Sequence, residues 1–240
     1  MKSHALSDRG RKDAVNEDSW LADDARGLWI VSDGVGSYRG AAFASRLAVE
    51  AVAQGLSDAA PADPYELRRS IGTAIKEASV RFEAAAREDR ALSMMSATLT
   101  MLLESGRRAV VTQIGDSRCY RLRAGRLEQI TNDHSVAWEQ FKIGAIPKEK
   151  IRDHPNQRLL TRTLGPGRVP MPEITIDAIE PGDRWLLCSD GLTKELDDPD
   201  IETLMKATPN DQDLAHRLVE SANARGGRDN ITVLLVGVPC

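Results

Sequence analysis

Carboxylates recur at five places in this 240-residue chain, each beside a turn that would hold it: Asn16-Glu17-Asp18, Asp33-Gly34, Gly115-Asp116-Ser117, Ser189-Asp190-Gly191 and Arg228-Asp229-Asn230. Four of the five sit directly at the end of a strand-like run. None is accompanied by a histidine or cysteine cluster, so the donors are all oxygen. Such a set, with a backbone carbonyl such as that of Gly34 added, suits Mg²⁺ or Mn²⁺ and fits Ca²⁺ less well at an active site. Converging without a cation, these groups would repel by several kcal/mol, order-of-magnitude. Two divalent ions would offset that charge, and a water between them would be a nucleophile near neutral pH. The chemistry that most often uses such a clamp is in-line displacement at phosphorus.

Each piece alone has a plain structural explanation. An Asp-Gly after a strand is usually an ordinary turn, and Asp229-Asn230 would serve to cap a turn before the last strand. His134 and His154 read as solvated loop residues without a metal-ligand partner at suitable spacing. Cys119 and Cys188 lie inside apolar runs and read as core. Ser32 and Ser189 precede acids but lack the G-x-S-x-G elbow of a serine nucleophile. The signal is the ensemble.

The elements that must position these groups can be read from periodicity. Leu28-Trp29-Ile30-Val31 is a strand buried on both faces that runs into Asp33. Arg184-Trp185-Leu186-Leu187-Cys188 repeats the pattern and ends in Asp190. A short entering strand, a loop and a strand through 19–21 make a hairpin with the first of these. Helices are expected over about 40–56 and 64–89, from apolar residues at helical spacing. Strands over 97–103 and 109–114, and over 119–122 and 127–130, have short connections and so pair antiparallel. Residues 132–172 are a proline-punctuated insertion with a short helix near 135–143, a length of loop that compact domains usually reserve for function. Helices near 199–207 and 211–224 and a closing strand over 230–236 complete the chain. These elements describe a single α+β domain over residues 1–240.

Composition narrows the function classes. With 32 Lys and Arg against 36 Asp and Glu, and charges well mixed, nothing favours nucleic acid as a partner. Three cysteines far apart are no disulfide framework. Met1–Arg9 has no apolar leader-like run and no stretch is long enough to span a bilayer. A cytoplasmic protein with no membrane partner is expected.

At this point the ensemble resembles the type 2C, metal-dependent serine/threonine protein phosphatases. Seven blocks stand here in that family's order. They are Asn16-Glu17-Asp18-Ser19, Val31-Ser32-Asp33-Gly34-Val35-Gly36, Ile114-Gly115-Asp116-Ser117, Thr131-Asn132-Asp133-His134-Ser135, Thr161-Arg162-Thr163-Leu164-Gly165, Ser189-Asp190-Gly191-Leu192-Thr193 and Asp229-Asn230-Ile231-Thr232-Val233. The match runs from Ser7 to Val236, and the length is closer to the bacterial branch. The resemblance implies a four-layer α-β-β-α sandwich, two antiparallel sheets flanked by helices, with a binuclear Mn²⁺ or Mg²⁺ centre at one end. By motif position Asp33 would bridge the two ions and the Gly34 carbonyl would bind one. Glu17, Asp190 and Asp229 would complete the shell, so that Asp33, Asp190 and Asp229 form the catalytic set, with Asp18 in support. Asp116 would join Asp190 around a third, weaker ion. The insertion at 132–172 would be the family's flap. A monomeric phosphatase acting on phosphoserine and phosphothreonine in proteins, the products of a bacterial Ser/Thr kinase, is then expected.

Two departures from the family pattern fall at the site. Members usually place a phosphate-gripping arginine three residues before the Asn of Asn-Glu-Asp, where this chain has Asp13. Arg11 or Lys12 would have to reach in instead. Val35 replaces the histidine of many eukaryotic members, so no histidine acid is expected and a metal-bound water would protonate the leaving group. Ser37, where a second glycine is usual, changes packing only. Competing readings are a weakly catalytic protein that sequesters a phosphoprotein, favoured by Asp13, and an unrelated two-metal phosphodiesterase.

Overall fold

The computed structural model describes residues 1–36, 40–56 and 63–239. Two antiparallel sheets stack face to face. One has the strand order β1 (Lys2–Asp8), β11 (Ile231–Gly237), β10 (Arg184–Cys188), β7 (Arg118–Arg123), β8 (Arg126–Gln129). The other runs β2 (Asp18–Asp23), β3 (Leu28–Val35), β5 (Leu99–Ser105), β6 (Arg108–Ile114), β9 (Glu173–Ala178), with β4 (Ser96–Ala97) on the end of β3. Helices α1 (Ala41–Gly55) and α2 (Pro64–Glu88) cover the second sheet, and α4 (Asp190–Glu195), α5 (Asp198–Ala207) and α6 (Asp211–Ala224) cover the first. The four layers expected from the family resemblance are present.

The period-2 geometry of a strand explains why Leu28–Val31 is apolar throughout. Leu28 and Ile30 point toward α1 and α2, while Trp29 and Val31 meet Trp185, Leu187, Leu234 and Val236 between the sheets. Both indoles are fully buried. Cys119 and Cys188 are buried in the strands, as expected, and burial pushes the Cys188 thiol up to about 12.

The helices expected at about 40–56, 64–89, 135–143, 199–207 and 211–224 are found, the third as α3 (Val136–Lys142). Asp63 caps α2 by accepting from the Tyr65 and Glu66 amides. Two elements go beyond the sequence expectation. Edge strand β9 follows Pro172, and its Ile174 and Ile176 are only half-buried, a weak period-2 signal. Helix α4 has six residues, too few for a helical period to register. Ser37 and the turn at Pro61 lie outside the described residues.

Candidate active site

Asp33 does not follow its strand but lies inside it. In the β2–β3 register it stands directly opposite Asp18. Like charges placed opposite each other on adjacent strands destabilise a sheet unless something intervenes. Burial, followed by the charges of Asp18, Asp190 and Asp116, holds the Asp33 carboxyl well above the usual carboxylate range. Gly34 comes next because nothing larger fits. A Cβ there would fall 2.2 Å from the Ala41 carbonyl oxygen and 2.9 Å from that of Glu17. The tight approach lets the Gly34 amide donate to the Glu17 oxygen at 3.2 Å and the Ser45 hydroxyl to the same oxygen at 2.5 Å.

Asp18 joins the two sheets. Its Oδ2 accepts from the Ser189 and Thr232 hydroxyls, each at 2.7 Å, across from β2 to the ends of β10 and β11. Burial raises its carboxyl to about 7, partly countered by those two hydroxyls. Asp190 opens α4 straight out of β10. Behind it, the Cβ that Gly191 lacks would lie 1.9 Å from the Asn230 carbonyl oxygen, so the helix start and the Asp229-Asn230 turn are in backbone contact. Asn230 binds the N-terminal loop into the site. Its amide Nδ2 donates to the Arg9 and Val15 carbonyls at 3.0 and 3.1 Å, and its Oδ1 accepts from the Glu17 amide at 2.7 Å. Asp229 accepts from the Asn230 amide at 2.9 Å, so the turn-capping reading of this pair also holds.

Asp116 lies in the turn after β6. Burial, then Asp190 and Asp133, push its carboxyl well above the usual range, against Lys194 and Arg118. Arg118 is itself clamped on Asp133 by two bonds of 2.8 and 2.7 Å. Asp18 and Asp116, far apart in sequence, therefore each feel the charge of Asp190, and Asp33 feels all three. Glu17 sits at the rim, its carboxyl raised by burial and then by Asp13 and Asp229.

Lys194 was not among the residues expected at the site. Its Nζ lies 2.5 Å from both Asp190 and Asp229. Burial alone would favour the neutral amine, but the two carboxylates hold the ammonium charged, above its usual range. The available signal was its place four residues after Asp190, one helical turn. His134 corrects a second expectation. It is fully buried rather than solvated. Its Nδ1 accepts from the Gly115 amide at 3.2 Å, and its Nε2 lies 3.2 Å from Arg162 Nη1 and 3.5 Å from Glu173. Burial, then the charge of Arg162, lowers its pKa below the usual imidazole value. It anchors residues 132–172 to the Asp116 turn through backbone bonds to Gly115 and Thr161.

Arg11 and Lys12 are exposed. The Arg11 amide donates to the Gly227 carbonyl at 2.7 Å, which fixes its backbone two residues from Asp229, while among the described residues no ion pair engages either side chain. A cleft of about 1000 Å³ opens between residues 148–158 and α4, with Asp116 and Asp190 on its wall.

The donor chemistry fits hard divalent cations. Every donor is an oxygen, and Asp18 Oδ1 and Asp190 Oδ1 are buried without a hydrogen-bond partner. Among the described residues no three carboxylates are drawn into a ready ion cage, and Lys194 takes up one oxygen each of Asp190 and Asp229. A cluster of oxygen donors therefore lies at the common end of the two stacked sheets, with the chemistry that hard divalent cations prefer.

The model of the protein phosphatase 2C family matches residues 3–225, and the chain belongs to that family. It is 38% identical over 240 residues to the serine/threonine protein phosphatase PstP of Mycobacterium tuberculosis, covering 99% of this chain and 45% of that protein. The chain therefore spans less than half the length of that relative. It is 32% identical to the serine/threonine phosphatase stp of Listeria welshimeri, over 98% of this chain and 95% of the other. The solved catalytic domain of PstP in complex with two manganese ions superposes with a TM-score of 0.87 at 34% identity, over 99% of this chain and 98% of that one.

Proposed function

We propose that this chain hydrolyses phosphoserine and phosphothreonine in proteins with two divalent ions, Mn²⁺ or Mg²⁺, and opposes a bacterial Ser/Thr kinase. The observation that supports the reading most is the set Asp18, Asp33 and Asp116, whose carboxyls are raised by burial and by the neighbouring charge of Asp190. Such a cluster is costly for a fold unless cations neutralise it. The ions, when bound, would supply positive charge to the phosphoryl oxygens and activate a water for attack.

The chain's own residues then divide the work. Asp33, the Gly34 carbonyl, Glu17, Asp190 and Asp229 would hold the two ions, and Asp116 with Asp190 would hold a third. Asp18 keeps its oxygens oriented through Ser189 and Thr232. Arg11, whose backbone is tied beside the Asp229 turn, and its neighbour Lys12 grip the substrate phosphate in place of an arginine at position 13. Asp13, which adds negative charge beside Glu17, weakens that grip. In this reading residues 1–240 act as one catalytic domain, monomeric and cytoplasmic, with residues 132–172 as a flap beside the cleft. Among the described residues no helix is long and apolar enough to cross a membrane.

The test is hydrolysis of p-nitrophenyl phosphate and of a phosphothreonine peptide with Mn²⁺. Turnover that needs Mn²⁺ and is lost in Asp33→Asn is the expected result. Turnover that survives EDTA, or a phosphopeptide bound without turnover, would overturn it.

A further inference from the structure

Lys194 makes the most unusual contact in the carboxylate cluster. Its ammonium lies 2.5 Å from Asp190 Oδ2 and 2.5 Å from Asp229 Oδ2, with the lysine side chain 18% exposed. The contact is built into the fold. Asp190 and Lys194 are one turn apart on α4, so the lysine stem rises on the same face as the carboxylate. The Lys194 backbone is held as well. Its carbonyl accepts from Arg152 Nη2 at 3.1 Å and from Arg228 Nη2 at 3.2 Å, and Arg228 is in turn fixed on Glu195. The positive charge is felt beyond its two partners, at Asp33 and Asp116.

We propose that Lys194 is a tethered cation that competes with the divalent ion for the Asp190 and Asp229 oxygens. The inference rests on the reading of those two aspartates as metal ligands. An oxygen that accepts from an ammonium at 2.5 Å faces it with the same lone pairs a metal needs at roughly 2.0–2.1 Å. The two cations also repel at that separation. A metal ion entering between Asp190 and Asp229 therefore displaces Lys194 first. Because the lysine is part of the same helix, its effective concentration at the site is high, on the order of millimolar or more, and does not fall on dilution. The chain thus sets its own metal threshold. It keeps its buried carboxylates partly neutralised at low metal concentration and becomes fully loaded only when metal is plentiful.

The experiment is calorimetric titration of Mn²⁺ into the EDTA-treated, dialysed chain and its variants. Lys194→Met is expected to bind Mn²⁺ at least about tenfold more tightly than the parent, and Lys194→Arg, which keeps the charge, as weakly as the parent. Thermal melts supply a readout that a merely structural lysine would not move. Lys194→Met should melt below the parent in EDTA and above it in excess Mn²⁺, whereas loss of a structural contact would lower both. If Lys194→Met does not survive EDTA, it can be prepared with Mn²⁺ and challenged with chelator, where slower release than from the parent is expected. Equal or weaker Mn²⁺ binding, or equal release, in Lys194→Met overturns the competition. Asp190→Asn separates the two levels. If it loses Mn²⁺ while Lys194→Met behaves as the parent, only the competition fails; if it binds Mn²⁺ as the parent does, the ligand assignment itself fails.

Discussion

The same tripeptide, Ser-Asp-Gly, lies in the last half of β3 in one sheet and directly after β10 in the other, and the two copies are used differently. Ser32 gives its hydroxyl to the Thr98 carbonyl at 2.6 Å, a bond within its own sheet. Ser189 gives its hydroxyl to Asp18, a bond between sheets, and its oxygen also accepts from the Thr232 amide at 2.9 Å. Asp33 stays in a strand facing another aspartate, whereas Asp190 opens a helix that returns Lys194 to it one turn later. One carboxylate is left with an electrostatic debt to its surroundings and the other with a resident counter-ion. Identical local sequence therefore permits a close backbone approach at both glycines, while the neighbours decide the course of the chain and the charge environment.

That contrast can be broken most directly at the two aspartates. Asp33→Asn should cut Mn²⁺-dependent hydrolysis of a phosphothreonine peptide by about 10³-fold or more, a loss expected in kcat/KM when an electrostatic anchor is removed. The same change removes a buried like charge, so in EDTA Asp33→Asn should melt higher than the parent, by roughly 1–2 kcal/mol of stability. Asp190→Asn should melt lower in EDTA, because it strips Lys194 of a partner. If both variants shift in the same direction, the difference between the two strand ends is not electrostatic.

The glycines test the shared part of the comparison. Gly34→Ala and Gly191→Ala each drive a Cβ onto a backbone carbonyl, at 2.2 and 1.9 Å before relaxation. Both should cost about 3 kcal/mol or more, read from denaturant unfolding. The serines sharpen it on a smaller scale. Ser189→Ala leaves the buried Thr232 amide unpaired and takes a donor from Asp18, for about 1–3 kcal/mol, while Ser32→Ala removes one bond for about 1 kcal/mol. Equal effects would erase the distinction between a bond across the sheets and one within a sheet.

His134 gives the smallest effect, and one that depends on pH. Its folded pKa is lowered by burial, so the unfolded chain binds the proton more readily. The stability it contributes is fully present above the ordinary imidazole value of 6.5 and is lost as pH falls through that value toward the lowered folded one. The parent should therefore lose melting temperature between pH 7.5 and 5.5 more steeply than His134→Gln. Identical slopes would mean that the buried ring does not titrate with unfolding.

Much of this was legible from residue order. Runs such as Leu28–Val31 and the stripe through Leu67, Ile71, Ala74, Ile75, Ala78 and Phe82 name their element type, because burial on two faces or on one helical stripe demands those patterns. The Asp-Gly and Gly-Asp turns pointed to the carboxylates in the same way, since a close backbone approach leaves a glycine in the sequence. Strand β9 and helix α4 went unread because an edge strand and a one-turn helix bury too little to impose a period. His134 was misread for a related reason. A polar residue buried by an ordered insertion looks locally the same as one in solvent, and only the partners Gly115 and Glu173 tell them apart.

The sequence by itself determined the order of elements, the family, and the set of acids available to a metal, because those depend on local periodicity and on the residue types a tight turn permits. Which acids face one another was decided only by the tertiary structure. The β2–β3 register put Asp18 against Asp33, the stacking of two sheets brought Ser189 and Thr232 onto Asp18, and the first turn of α4 brought Lys194 between Asp190 and Asp229. Electrostatic energy falls with distance and rises with burial, and both quantities come from packing rather than from chain order.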